Sequence, residues 1–261
     1  MSTDHVLYDI RDDGIAIATL NRPEARNALT FDMYERLAGI CRDIVPGGPV
    51  KVLIVTGAGA KAFAAGTDIS AFRDFRTREQ AIAYEVKMDA VLGSIETCAV
   101  PTIAAIAGAC TGGGGAIAAC CDLRIATRDM KFGFPIARTL GNCLSMTNLA
   151  RLSELIGPAR TKDILFTARL IEADEARACG LVSEVLEDHA ALMARALALA
   201  RQLTTHAPLT LRATKEGLRR LRDTGAPGRD HDLIAMCYAS EDFREGMDAF
   251  LAKRAPQWKG K

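Results

Sequence analysis

Two glycine-bearing segments hold the residue types best suited to chemistry in this chain. The first is KAFAAGTDI at residues 61–69, and the second is AGACTGGGGA at residues 107–116. Packing alone does not call for so many small residues directly after an apolar run. In the first segment, Gly66 frees the backbone for an unusual turn that can aim the N–H of Thr67 into a cleft. In the second, the glycines enter an apolar helix, whose first turn carries unpaired N–H donors and the positive end of the helix dipole. With no side chains in the way, a substrate oxygen can approach those donors closely. Two such sites after consecutive strands make a two-donor oxyanion hole possible, worth several kcal/mol at a developing enolate. The ordinary alternative for each is a tight turn or close strand–helix packing. Neither segment matches GxGxxG in a first βα unit, and no Gly-Lys-Ser/Thr follows as in a P-loop.

The surrounding elements must place these two segments. Residues 5–10 and 15–20 are rich in β-branched and aliphatic residues and flank Asp12-Asp13-Gly14, which predicts a β-hairpin. Thr30 can cap a helix reaching about Val45, with Leu37, Ile40, Cys41 and Ile44 on one face; Pro46-Gly47-Gly48 ends it. VKVLIVT at residues 50–56 is a continuous apolar run of strand length, which predicts a strand buried on both faces. Residues 57–66 read as a small-residue loop. Thr77 with Gln80 forms a capping box for a helix reaching about Glu96. Strands are expected at residues 102–106, 123–126 and 181–185, with helix over 116–121 and almost throughout from Thr147, broken at Gly157-Pro158 and Gly180. Buried strands alternating with helices mean an α/β fold with a helical C-terminal region.

Composition removes several function classes. The 261 residues hold 33 Lys+Arg against 32 Asp+Glu, without the basic excess of a nucleic-acid binder. Apolar stretches are cut by glycine or charge well before the ~18 residues of a membrane span. The start, MSTDHVLYDI, lacks the pattern of a secretory signal, so a cytoplasmic protein is expected. Eight cysteines without a CxxC pair are read as reduced core residues. His5, His189, His206 and His231 are far apart and form neither HExxH nor a His–Cys cluster, so no metal is expected.

Five segments in register carry a family resemblance. FAAGTDI at 63–69, AGACTGGGGAIAACCDLRIA at 107–126, FGFP at 132–135, LNRPEARNALT at 20–30 and EGMDAFLAKRAPQWKG at 245–260 resemble the enoyl-CoA hydratase/isomerase, or crotonase, superfamily. The resemblance implies a crotonase-like ββα spiral with a C-terminal helical trimerisation region. On that basis residues 1–200 form the spiral core with the acyl-CoA site, and 201–261 the helical tail. The implied oxyanion donors are the backbone N–H groups of Thr67 and Gly113. Ala25, Arg26 and Ala65 would line the path of the CoA adenine and pantetheine. Phe250 and Lys253 match residues that often complete a neighbouring subunit's CoA site, so a homotrimer or homohexamer is implied. Coenzyme A enters only as part of the substrate, and no separate cofactor is implied.

The chain departs from the family where water is activated. Hydratases of the family use two glutamates, and the matching positions here are Ala116 and Ile136. General acid–base help contributes roughly 10²–10⁴-fold per group, so the loss of both should cripple ordinary water addition. The family's GxxPxxGG run is replaced by RTLGNCLS at 138–145. Within it Asn142, Cys143 and Ser145 are polar candidates for substrate contact. Arg138 could hold a second carboxylate of the substrate, against the plainer reading of a surface arginine. Asp68, beside a donor, and Glu85, on the helix ending at Glu96, could replace the lost carboxylates. Their ordinary readings are a helix cap and a solvated surface charge. Asp122 is expected to pair with a buried donor. The functions left standing are an enolate-stabilising acyl-CoA enzyme, with decarboxylation of a malonyl-type thioester fitting best and isomerisation or hydrolysis next, and a catalytically inactive CoA-thioester-binding subunit.

Overall fold

The computed structural model describes residues 5–69, 77–224 and 231–261. Strands β1 (Val6–Ile10) and β2 (Ile15–Leu20) form the antiparallel hairpin, with Gly14 in the left-handed region at φ 79°. Helix α1 (Phe31–Asp43) starts where Thr30 accepts from the Met33 N–H. It stops two residues short of the sequence estimate, because Ile44 is already extended ahead of Val45 and Pro46. Strand β3 (Val52–Gly57) is buried throughout. The chain continues through β4 (Ala62–Ala64), α2 (Arg78–Glu96), β5 (Thr102–Ile106), β6 (Ala109–Thr111), α3 (Gly113–Cys120), β7 (Leu123–Thr127) and β8 (Lys131–Gly133). Next come α4 (Met146–Thr167), β9 (Ile171–Glu172), α5 (Ala173–Ala178), β10 (Glu184–Leu186) and α6 (His189–Thr204). The tail is α7 (Pro208–Thr224), α8 (His231–Tyr238) and α9 (Glu241–Leu251).

Two sheets result. The larger has the order β1-β2-β3-β5-β7-β10, parallel except for the opening hairpin. The smaller has the order β4-β6-β8-β9, parallel except for β8 with β9. Alternation along β3 shows how the layers are glued. Val52 and Ile54 face the aliphatic side of α6 (Leu192, Ala196, Ala200), while Leu53 and Val55 face the main core with α1, α2 and α3. The capping box of α2 is complete, with Gln80 N–H donating to Thr77 Oγ1 and Thr77 N–H to Gln80 Oε1.

The smaller sheet was not legible. Its strands are two or three residues long, too short to show a period: β4 lies in the segment read as a loop, β6 in the glycine-bearing segment, and β9 where helix was expected. The last strand runs over Glu184–Leu186, later than residues 181–185. Leu181 and Val182 are core residues, but only the later stretch pairs with β7. Helix α4 is interrupted at Gly157 (φ 78°, ψ 152°), as the Gly-Pro pair requires.

Asp122 does the structural work expected of it. Its carboxylate accepts from Thr102 N–H at 2.7 Å and from Lys215 Nζ at 2.8 Å, tying the start of β5 to α7. All eight cysteines are free, and five are buried. Among the described residues no helix is long and apolar enough to cross a membrane.

Candidate active site

The loop after β4 is laced to the segment before α1. Leu29 N–H donates to Gly66 O and Leu29 O accepts from Asp68 N–H, both at 2.8 Å. In such a bridge the residue between the two partners turns its own N–H the other way. Thr67 therefore presents its N–H away from Leu29. Gly66 at φ 122° is what lets the chain make that turn. One residue earlier, Ala65 N–H donates to Arg26 O at 3.1 Å.

The glycine run at the start of α3 answers to three different neighbours. A Cβ on Gly113 would run into the Tyr34 hydroxyl, and one on Gly114 into the backbone of Ala64. One on Gly115 would sit 3.0 Å from the Phe134 ring. Close packing therefore accounts for part of the run. It also leaves the first turn of α3, with its unpaired N–H groups, bare of side chains.

Both segments open into one cavity of about 240 Å³. Ala65, Gly66, Thr67, Gly112 and Gly113 line it, together with Ala116, Ile136, Asn142 and Cys143. Ala116 and Ile136 thus face the same space as Thr67 and Gly113. Helix α2 supplies another wall through Tyr84, Glu85, Met88 and Leu92, a single stripe at helical spacing.

Two tyrosines missed by the sequence reading stand beside the donors. Tyr34 Oη lies 2.9 Å from Thr67 Oγ1, and Tyr84 is hydrogen-bonded to the same hydroxyl. Burial pushes both phenols up, Tyr84 to about 12, against the opposing effect of the Thr67 hydrogen bond. The signal for Tyr34 was its place three residues before Leu37, where a hydroxyl on a core face needs a partner.

Glu85 is half-buried in the cavity wall. Burial raises its carboxyl above the ordinary range, and the Asp89 charge one turn on raises it further. Asp89 in turn accepts from Ser145 Oγ at 2.7 Å. Ser145 also caps α4 through the Asn148 N–H, so it joins α2 to α4 instead of lining the cavity. The expectation that Glu85 is a solvated surface charge is corrected by its position.

Other expectations change as well. Arg138 is exposed and not among the lining residues, so it is not placed to hold a substrate carboxylate. Asp68 pairs with Arg22 at 3.2 Å, outside the lining, and the next described helix, α2, is capped by Thr77. Ala25 and Arg26 do not line the cavity, although Arg26 borders it through Ala65. Phe250 is 83% exposed on α9, and Lys253 follows it in a left-handed turn; neither reaches this chain's own cavity.

The architecture is a spiral α/β fold in which the bare start of α3 and the turn after β4 line one cavity. Residues 11–261 match the family model for enoyl-CoA hydratase/isomerase. The chain is 34% identical over 258 residues to the short-chain-enoyl-CoA hydratase of Clostridium acetobutylicum, covering 97% of each. It is also 34% identical to the crotonyl-CoA hydratase of Syntrophomonas wolfei, again over 97% of each. Among solved structures, an enoyl-CoA hydratase/carnithine racemase from Magnetospirillum magneticum superposes with a TM-score of 0.89 at 37% identity, over 100% of this chain and 97% of that one. The chain belongs to the enoyl-CoA hydratase/isomerase family.

Proposed function

We propose that this protein binds an acyl-CoA thioester, holds its carbonyl oxygen between the N–H groups of Thr67 and Gly113, and rearranges the resulting enolate by proton transfer instead of adding water. The observation that carries this reading is the shared cavity. Thr67 and Gly113 line it together with Ala116 and Ile136, so the oxyanion positions are kept where both water-activating positions are apolar. A two-donor hole lowers the barrier to an enolate whatever follows. Positioning and deprotonating a water needs a base that neither Ala116 nor Ile136 supplies. Decarboxylation, the reading that fitted the sequence best, loses support because its expected anchor, Arg138, is exposed outside the cavity.

The relatives named as hydratases make water addition the natural comparison. Crotonyl-CoA hydration should run at least about 10²-fold below that of a hydratase with both glutamates. Incubation with enoyl-, malonyl- and hydroxyacyl-CoAs, followed by mass spectrometry, tests this directly. Rapid hydration of crotonyl-CoA would overturn it, and binding without turnover of any thioester would favour the inactive-subunit alternative. In the same reading, exposed Phe250 and Leu251 on α9 support assembly into a trimer or hexamer in which Phe250 and Lys253 reach a neighbour's CoA. Sedimentation velocity reads that state.

A further inference from the structure

We propose that Cys98 and Cys41 form a thiol pair that a small hydroperoxide oxidises to a disulfide, a modification site apart from the cavity of Thr67 and Gly113. The two residues come from different elements. Cys41 sits on the buried face of α1, and Cys98 in the link between α2 and β5. Their thiols are hydrogen-bonded to each other, and the Tyr8 phenol of β1 feels the charge of both. Cys98 also lines a second cavity of about 240 Å³, bounded by that link and by helices α7 and α8. Arg212 and Lys215 of α7 share its wall. Lys215 is fixed there, because its Nζ donates to Val100 O at 3.3 Å and to Asp122 Oδ2 at 2.8 Å. A thiol in contact with a second thiol, beside a held ammonium and at a cavity wall, has the surroundings of a reactive pair.

Other buried cysteines give the contrast. Burial pushes Cys110, Cys120 and Cys121 up, the last two to about 12, and keeps them as thiols. Cys98 is comparably buried yet held down at about 7. The Cys41 hydrogen bond lowers it most, and the Val100 N–H and the Lys215 charge lower it further, against burial and the Asp122 charge. Cys41 is held up by the same hydrogen bond and by burial, as the thiol that donates. In the first step the Cys98 thiolate attacks a peroxide oxygen. An S–O bond forms, the O–O bond breaks, and the departing oxygen takes up the proton that Cys98 released. Sulfur is oxidised to the sulfenic acid, and the hydroperoxide is reduced to an alcohol, or to water where it is hydrogen peroxide. In the second step Cys41 gives up its proton and its sulfur attacks that of Cys98. The S–S bond forms, the S–O bond breaks, and hydroxide leaves with the Cys41 proton as water. The link ties α1 to the end of α2, the two helices that bring Tyr34 and Tyr84 to Thr67. Cys121, whose charge is felt at Cys41, is the competing partner.

The test treats the reduced full chain with hydrogen peroxide, traps sulfenic acid with dimedone, and locates the products by fragment-ion mass spectrometry after alkylation. The parent should give the Cys41–Cys98 disulfide as its main internal link, reversed by dithiothreitol. In Cys41→Ala the dimedone adduct should accumulate on Cys98 without a disulfide, and Cys98→Ala should give neither product. Circular dichroism checks that both variants fold. Alkylation of the reduced parent should mark Cys98 at least about tenfold faster than Cys110, because the thiolate is the nucleophile. Mapping the parent decides the matter even where a substitution fails to fold. A Cys98 left unoxidised, a disulfide joining Cys98 to Cys121, or a Cys98 alkylated no faster than Cys110 overturns the proposal.

Discussion

Helix α2 carries two glutamates, Glu85 and Glu96, in opposite environments. At the C-terminal end, Glu96 is the centre of an ion cluster: Arg151 donates to it at 2.8 Å, and Arg222 of α7 makes a second, shorter contact. Burial alone would raise its carboxyl, but the hydrogen bonds from the two arginines outweigh burial and hold it below the ordinary range. Three turns earlier, Glu85 is half-buried with no basic partner among the described residues, and burial with Asp89 raises it. One residue type on one helix thus serves as a structural tie at one end and lines the cavity with a raised carboxyl at the other. What differs is the set of elements packed against each: α4 and α7 bring arginines to Glu96, and the donor turns bring hydroxyls to the neighbourhood of Glu85.

The largest expected contrast comes from neutralising each in turn. Glu96→Gln leaves Arg151, whose side chain is 3% exposed, with its partner's charge removed, and should cost about 3 kcal/mol of stability. Glu85→Gln should leave stability unchanged or slightly higher. Urea unfolding separates the two; equal stability losses would erase the distinction.

Next in size is the donor at Gly113. Proline is tolerated at a first helical position, but it removes the N–H. Gly113→Pro should lower turnover about 10²–10³-fold. Its ring would also press on Tyr34, so Gly113→Pro is best compared with Gly113→Ala, each in a Tyr34→Phe background and checked by circular dichroism. The alanine variant keeps the donor and should regain most of the rate. If both variants are equally slow, the N–H is not what Gly113 contributes.

pH should move the two glutamates in opposite directions. Glu96 has a depressed folded value, so its contribution is present above the ordinary carboxylate range and is lost as pH falls through the lowered value. Glu85 has a raised folded value, so folding favours its protonated form. Its contribution to stability is present below the ordinary value and lost as pH rises through the raised one. A profile of stability against pH that keeps this limb in Glu85→Gln would assign it to another group. The smallest effect belongs to Tyr34→Phe, which removes the hydrogen bond to Thr67 and should cost about 1 kcal/mol, read by thermal unfolding.

Much of this molecule was written into local pattern. Period-two and continuous apolar runs are local properties, so the hairpin, the doubly buried β3 and the caps at Thr30 and Thr77 could be read without coordinates. The small-residue segments around Thr67 and Gly113 were visible for the same reason: backbone that must come close to something cannot carry side chains. Ala116 and Ile136, which line the same cavity, were equally legible as apolar residues in those segments. Strands of two or three residues have no period, and the second sheet exists only because distant segments supply each other's hydrogen-bond partners. The role of a polar residue is likewise a property of its surroundings. Tyr34, Tyr84 and Glu85 acquire meaning when α1, α2 and the two donor turns meet, and Arg138 loses its expected one when the loop leaves it in solvent. Burial and neighbouring charge decide whether a carboxylate is a tie or a raised carboxyl in a cavity wall, and both are set only when the chain has closed around it.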